Sequence, residues 1–334
     1  MSPTAEVKSR IVCHGTGISR TGESFFHLGS FFENEIMHLP KRDYLFSISA
    51  ALVLLVGLGT FPWSGSSQGL QRPGSAEAAA NVGTARYSKW QSALSKYVDK
   101  QGNVNYSNWK LDASALDQFL ASLSGITRAE YDSMSRNEQM ALWINAYNAF
   151  TVHLVLEHYP IHRSGLNLYP DSSIRQIDGV WKKYKLSVAG RTVSLHEIEN
   201  EILRKQFKEP LIHFAINCAS RSCPPLSNEA YSAVDLTKQL ERAASTFIQS
   251  ERFNKIEPTR KKVALSKIFD WYGEDFVSRY HGKQMEKRSQ AQSAVISFIA
   301  DHVGGSERAF LLSNDFALSY MNYDWALNES TGAN

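Results

Sequence analysis

Apolar positions recur at helical spacing over much of this chain. In "DASALDQFLASLSGI", Leu116, Phe119, Leu120 and Leu123 fall on one face and predict a helix. The segment "YSKWQSALSKYVDKQG" predicts an earlier helix ending near Gln101-Gly102, followed by a short extended piece, "VNYSNW". "SRNEQMALWINAYNAFTVHLVLEHYP" predicts a long helix that stops before Pro160. It is apolar nearly all round, which marks it as central.

The pattern then changes. "VWKKYKLSVAGRTVSL" predicts two strands joined at Ala189-Gly190. Ser194 and Glu197 form a capping box for the helix "LHEIENEILRKQF". "LIHFAIN" predicts a buried strand running into Cys218. A helix over "DLTKQLERAASTFIQS", a strand turning into a helix over "KKVALSKIFDWYGEDFVSRY", a helix over "SAVISFIADHV" and a closing strand over "FALSYMNYDWALN" complete the series. Interspersed helices and hairpins predict an α+β fold, a single domain over residues 87–328 with helices packed on a small antiparallel or mixed sheet. Residues 329–334 are a tail.

The first 80 residues differ. Met37 opens a segment with a basic end at Lys41 and Arg42. An apolar run follows from Phe46 to Phe61, then a small, flexible stretch containing Ala78, Ala79 and Ala80. This order predicts a secretory signal over residues 37–80, with Met37 as the true start and residues 1–36 as a non-native or disordered extension. A competing reading retains residues 44–63 as an uncleaved anchor, the chain's one expected membrane contact. Either way an exported protein is expected, periplasmic or at the cell surface.

Net charge is +3, and residues 1–80 carry six Lys/Arg against six Asp/Glu, so the remainder keeps that charge. Neither bulk charge nor any motif points to nucleic acid. Nucleotide-binding glycine loops, metalloprotease and serine-hydrolase motifs are absent, and no cofactor is implied.

The chemistry concentrates elsewhere. "HFAINCASRSCPPLS" holds Cys218 and Cys223, four residues between them. In an oxidising compartment such a pair is expected to form a disulfide. A free catalytic thiol, Cys218 or Cys223 with His196 as a base from the neighbouring helix, is the alternative. His153 is a second possible base. A strand would put His213 on the wrong face. Two cysteines alone are a thin metal-ligand set, so no metal is expected. Glu138, Asn145 and Asn148 share a face of the central helix, and Glu199 adjoins the apolar edge Leu195–Ile198–Ile202. A half-buried Glu199 calls for a cation, Arg221 or Arg204. Asn145, Asn148, Glu199, Arg221 and Ser222 are thus candidate contacts for a small anionic ligand or peptide, with Arg221 as its clamp. The same asparagines could equally pin neighbouring loops, in a structural or partner-docking module. Asp270, Glu274 and Asp275 read as solvated helix charges.

"LWINAYNAFTV", "SLHEIENEILR", "HFAINCASRSCPPL", "LSKIFDWYGEDF" and "YDWALN", in this order, resemble the domain-of-unknown-function family 547 of bacteria and plants. The resemblance spans about residues 87–328. It places motif positions at Asn145, Tyr147, Asn148, Glu199, Asn217, Cys218, Ser222, Cys223, Pro224, Trp271, Asp275 and Phe276, and implies no particular reaction. Asn200 stands where the family often has His, which weakens a Cys–His enzyme, and Asn105 stands where it often has Asp. The order of helices then sheet distantly resembles papain- or transglutaminase-like acyl-transfer folds.

Overall fold

The computed structural model describes residues 75–280 and 284–330. The proposed extension 1–36, the basic and apolar parts of the export segment and the anchor 44–63 lie outside them. Its last residues do not: helix α1 runs Ser75–Tyr97, so Ala78–Ala80 are helical rather than flexible. Alanine is the strongest helix former, and three in a row favour this outcome.

The order continues as α2 (Tyr106–Leu111), α3 (Ser114–Ser124), α4 (Arg128–Ser133) and α5 (Arg136–His158). Asn105 caps α2 by accepting from the Asn108 N–H, and Tyr106 and Trp109 are buried one turn apart. The cap and that spacing explain why "YSNW" is helical where an extended piece was expected. α5 is the central helix, buried from Met140 to Val152 and again at Leu154–Leu156. Ser135 and Glu138 form its capping box, so Glu138 serves the helix end rather than a buried polar stripe.

β1 (Leu186–Val188) and β2 (Arg191–Val193) make the expected hairpin, with Ala189 and Gly190 both at positive φ, as a two-residue primed turn requires. The Ser194–Glu197 box is present. The helix it opens, Glu197–Phe207, is wound as a π-helix. Its buried residues fall in turns at Ile198, at the Ile202–Leu203 pair and at Phe207, four to five residues from one turn to the next, matching the wider turn.

"LIHFAIN" is not a strand. Pro210–Phe214 form a 3₁₀ turn, followed by irregular chain. Pro210 starts the turn. Beyond it, Asn148 meets the backbone at Ala215 and Asn217, so that stretch needs no ladder partner.

After α6 (Leu236–Ile248), β3 (Lys255–Glu257), β4 (Lys262–Leu265), α7 (Lys267–Val277), α8 (Gln290–Ala300) and α9 (Gly305–Ser313), β5 (Ala317–Tyr320) closes the series. β4 pairs antiparallel with β3 and parallel with β5. The described residues thus form an α+β domain with two small sheets rather than one. The expected closing strand is shorter. Beyond Tyr320 the described residues make isolated bridges, at Ala326 with Ser173, at Leu327 with Ser220 and at Glu329 with Val104. These run the C-terminal segment alongside the cysteine loop.

Phe214, Phe247, Phe269, Phe276 and Phe298 pack together where the 3₁₀ turn meets α6, α7 and α8. Gly102, at φ +77°, abuts the prolines after Cys223. A Cβ there would fall 2.5 Å from Pro225 Cβ and 2.8 Å from the Leu226 nitrogen. Gly102→Ala is expected to cost roughly 1–3 kcal/mol from the backbone conformation alone, and more from the clash. Urea unfolding checks this.

Candidate functional site

Cys218 and Cys223 are free thiols in this structure, with sulfurs 2.8 Å apart. The loop between them is tied down on both sides. Asn217 donates to the Pro224 carbonyl and accepts from the Ala219 N–H. The Arg221 N–H reaches the Ala326 carbonyl, and the Asn328 N–H reaches the Ala219 carbonyl. Ala219 sits at φ +58°, a left-handed conformation that alanine adopts at a cost.

The two sulfurs differ. Cys218 is half-buried and Cys223 is buried. Tyr323 Oη and Ser220 Oγ each lie 3.2 Å from Cys218 Sγ, and 3.0 Å from one another. Burial pushes the Cys218 thiol up, and Glu199 adds to that. Hydrogen bonds from Cys223, Ser220 and Tyr323 outweigh both and hold it below the ordinary thiol value. Cys223 is pushed well above that value by burial and by its neighbour Cys218. Burial likewise keeps the Tyr323 hydroxyl protonated, as a donor.

A second polar group lies within electrostatic reach. Glu199 accepts from the Tyr272 hydroxyl at 2.7 Å and from the Tyr147 hydroxyl at 3.2 Å. Among the described residues neither Arg204 nor Arg221 forms an ion pair with it. Arg204 instead forks onto Asp275, at 2.6 and 2.9 Å. Arg221 is half exposed and faces Asp324 at 4.0 Å. Both phenols stay protonated, raised mainly by burial. They can therefore satisfy Glu199 as neutral donors, which avoids sequestering a second charge.

Asp275 also meets His213 Nε2 at 2.7 Å, and the imidazole stacks on Tyr272 at 4.1 Å. Asp275 is no solvated helix charge. A small cleft of ≈ 180 Å³ beside it is lined by Arg204, Lys208, Glu209, Glu274 and Ser278. Burial pushes the Asp275 carboxyl up, but hydrogen bonds from His213 and Arg204 prevail and hold it well below the carboxylate range. Such a group contributes stability above its unfolded value, about 3.9, that is lost as pH falls below it. Asp275→Asn is expected to cost roughly 2–4 kcal/mol at pH 7 by leaving Arg204 without its partner. It should also flatten the acid limb of stability, as measured by urea unfolding at pH 7 and pH 3.

Residues 131–248 match the family model described as "Protein of unknown function, DUF547". That stretch is similar to the DUF547 family. No curated protein and no solved structure matches the chain. The DUF547 match takes in α5, the π-helix and the cysteine loop. It stops short of Trp271, Asp275 and Tyr323, which the expected span of 87–328 included.

Of the candidates in the DUF547 segment, the structure joins Cys218 and Cys223 and brings Glu199 within electrostatic range of Cys218. Asn145 is spent on the backbone of Tyr231, donating and accepting, and Asn148 on Ala215 and Asn217. Arg221 and Ser222 face the C-terminal segment, where the Ser222 hydroxyl accepts from the Asp324 N–H. His196 touches neither cysteine and turns to Asn200. His153 meets Asp117 and Glu157. Among the described residues no group of three metal-ligating side chains is placed to hold an ion. Sequence reasoning missed Tyr323, Ser220 and the Tyr272–Glu199 bond, and it set His213 aside on the strength of a strand that does not form. Only Ser220, two residues from Cys218, carried a local signal.

Proposed function

We propose that this is an exported thiol–disulfide exchange protein, with Cys218 as the attacking thiolate and Cys223 as the resolving thiol. The observation that carries this is the asymmetric pair: Cys218, half-buried and hydrogen-bonded by Tyr323, lies 2.8 Å from a buried, high-pKa Cys223. Reactive cysteines are those whose thiolate is stabilised and reachable.

The Cys218 thiolate attacks one sulfur of a partner disulfide, and the other sulfur leaves as a thiolate and takes up a proton. Cys223 then loses its proton and attacks Cys218 Sγ. The partner's second sulfur departs and is protonated. The partner has gained two electrons and two protons, and Cys218–Cys223 is left as a disulfide. The reverse sequence oxidises a dithiol partner. Export by residues 37–80 would place the pair where disulfides persist.

Equilibration with glutathione or dithiothreitol buffers tests the reading. The expected midpoint lies between about −120 and −270 mV, the range of exchange proteins. A midpoint below about −300 mV would make the bond a structural staple and overturn the proposal. So would failure to form a disulfide at all.

A further inference from the structure

Tyr323 belongs to two groups at once. Its hydroxyl lies on Cys218 Sγ, and its ring belongs to a partly exposed aromatic shelf. Trp271 and Trp325 pack against that ring at 4.8 and 4.6 Å between centroids, and Tyr169 meets Trp325 edge-on at 6.1 Å. Arg175 lies over Tyr169 and Trp325, at 4.6 and 5.0 Å, and donates to the Tyr169 hydroxyl at 2.6 Å. Among the described residues, no carboxylate forms an ion pair with Arg175. Leu168, next in the chain to Tyr169, is fully exposed.

We infer that this shelf is the docking subsite for the exchange partner, a cysteine-bearing peptide segment with an aromatic side chain beside its cysteine and an acidic one further along. The inference rests on the thiol-exchange reading. Partly exposed Tyr and Trp offer large contact area at little entropic cost, as peptide-binding surfaces do. Arg175 lies over two rings, with guanidinium N–H groups beyond the one on Tyr169 to offer a carboxylate. Tyr323 sets the register. With the partner's sulfur on Cys218, a neighbour within about two residues, roughly 7 Å of extended chain, reaches the shelf. Arg175 lies beyond, over Trp325.

The test uses the full chain carrying Cys223→Ser, which arrests exchange at the mixed disulfide, and Cys13→Ser, which removes the third thiol. Three peptides carry their cysteine as a mixed disulfide with 2-nitro-5-thiobenzoate: Glu-Gly-Phe-Cys, Glu-Gly-Gly-Cys and Lys-Gly-Phe-Cys, blocked at both ends. The Cys218 thiolate displaces the coloured thiolate, so the rate is read directly. Each rate is divided by that of the same peptide with free N-acetylcysteine. The Phe peptide is expected to react about tenfold faster than the Gly peptide. Lys for Glu is expected to slow it about fivefold. Trp325→Ala should abolish the first preference and Arg175→Gln the second. Rates within twofold for all three peptides, or preferences surviving these substitutions, would overturn the subsite. Alkylation of the same chain by iodoacetamide separates the two readings. Fast alkylation without peptide preference defeats the subsite alone, and slow alkylation defeats thiol exchange itself.

Discussion

At pH 7, iodoacetamide is expected to modify Cys218 on the order of a hundredfold faster than Cys223, because reactivity follows the thiolate fraction and access. The structure gives the two sulfurs opposite environments. Cys218 is half-buried and bonded by the Tyr323 and Ser220 hydroxyls, whereas Cys223 is buried against the Cys218 N–H and thiol. The fast phase should titrate below the ordinary thiol value, about 8.5, and vanish as pH falls through the Cys218 midpoint. Cys223→Ser should keep that phase, since a hydroxyl replaces the thiol as donor. With Cys13 also replaced by Ser, Cys218→Ser should leave only the slow one. Tyr323→Phe removes one donor and should shift the fast titration upward. Equal rates for the two cysteines, or a faster Cys223, would contradict the asymmetry.

Asn148→Ala is expected to lower the unfolding free energy by roughly 2–5 kcal/mol, because it strands a buried carbonyl and a buried N–H together. Asn148 is 2% exposed, and its side chain joins the Ala215 carbonyl to the Asn217 N–H. Asn217 in turn sets the start of the cysteine loop through Pro224 and Ala219. The variant should therefore also blur the difference in alkylation rate between the two cysteines. Asn137→Ala, on the exposed first turn of α5, should stay within about 0.5 kcal/mol of the parent. Urea denaturation of the three proteins side by side measures this. An Asn148→Ala protein as stable as the Asn137→Ala control would show that the loop is held by other contacts.

The asparagines illustrate how far the sequence could be read. Two amides on a helix apolar all round had to be buried, and buried amides must find partners. That much followed from spacing. Whether the partners were a ligand or the protein's own backbone did not follow. The answer lies in Tyr231, Ala215 and Asn217, 67 to 86 residues away. Glu199 repeats the lesson. Its half-buried place beside an apolar edge was legible, and the demand for a cation was sound for an isolated carboxylate. Two phenol hydroxyls from α5 and α7 met that demand instead, which released Arg204 to Asp275. "LIHFAIN" failed for a different reason. A short apolar run with β-branched residues is ambiguous in period, and a proline with a side chain supplying backbone hydrogen bonds decided against the strand.

The sequence by itself determined the helices with clear apolar faces, the Ala189-Gly190 hairpin, the Ser194–Glu197 capping box, the centrality of α5, the α+β class and the resemblance of the cysteine loop to the DUF547 pattern. These depend on interactions within a few residues, or on a periodicity the chain carries openly. Only the tertiary structure gave the two cysteines different surroundings, since Tyr323 comes from 105 residues downstream of Cys218. It alone set Arg221 against Asp324 and built an aromatic shelf from Tyr169, Trp271, Tyr323 and Trp325. A thiol's acidity and a carboxylate's partner are set by whatever folding brings within a few ångströms, and that distance is not written in local sequence.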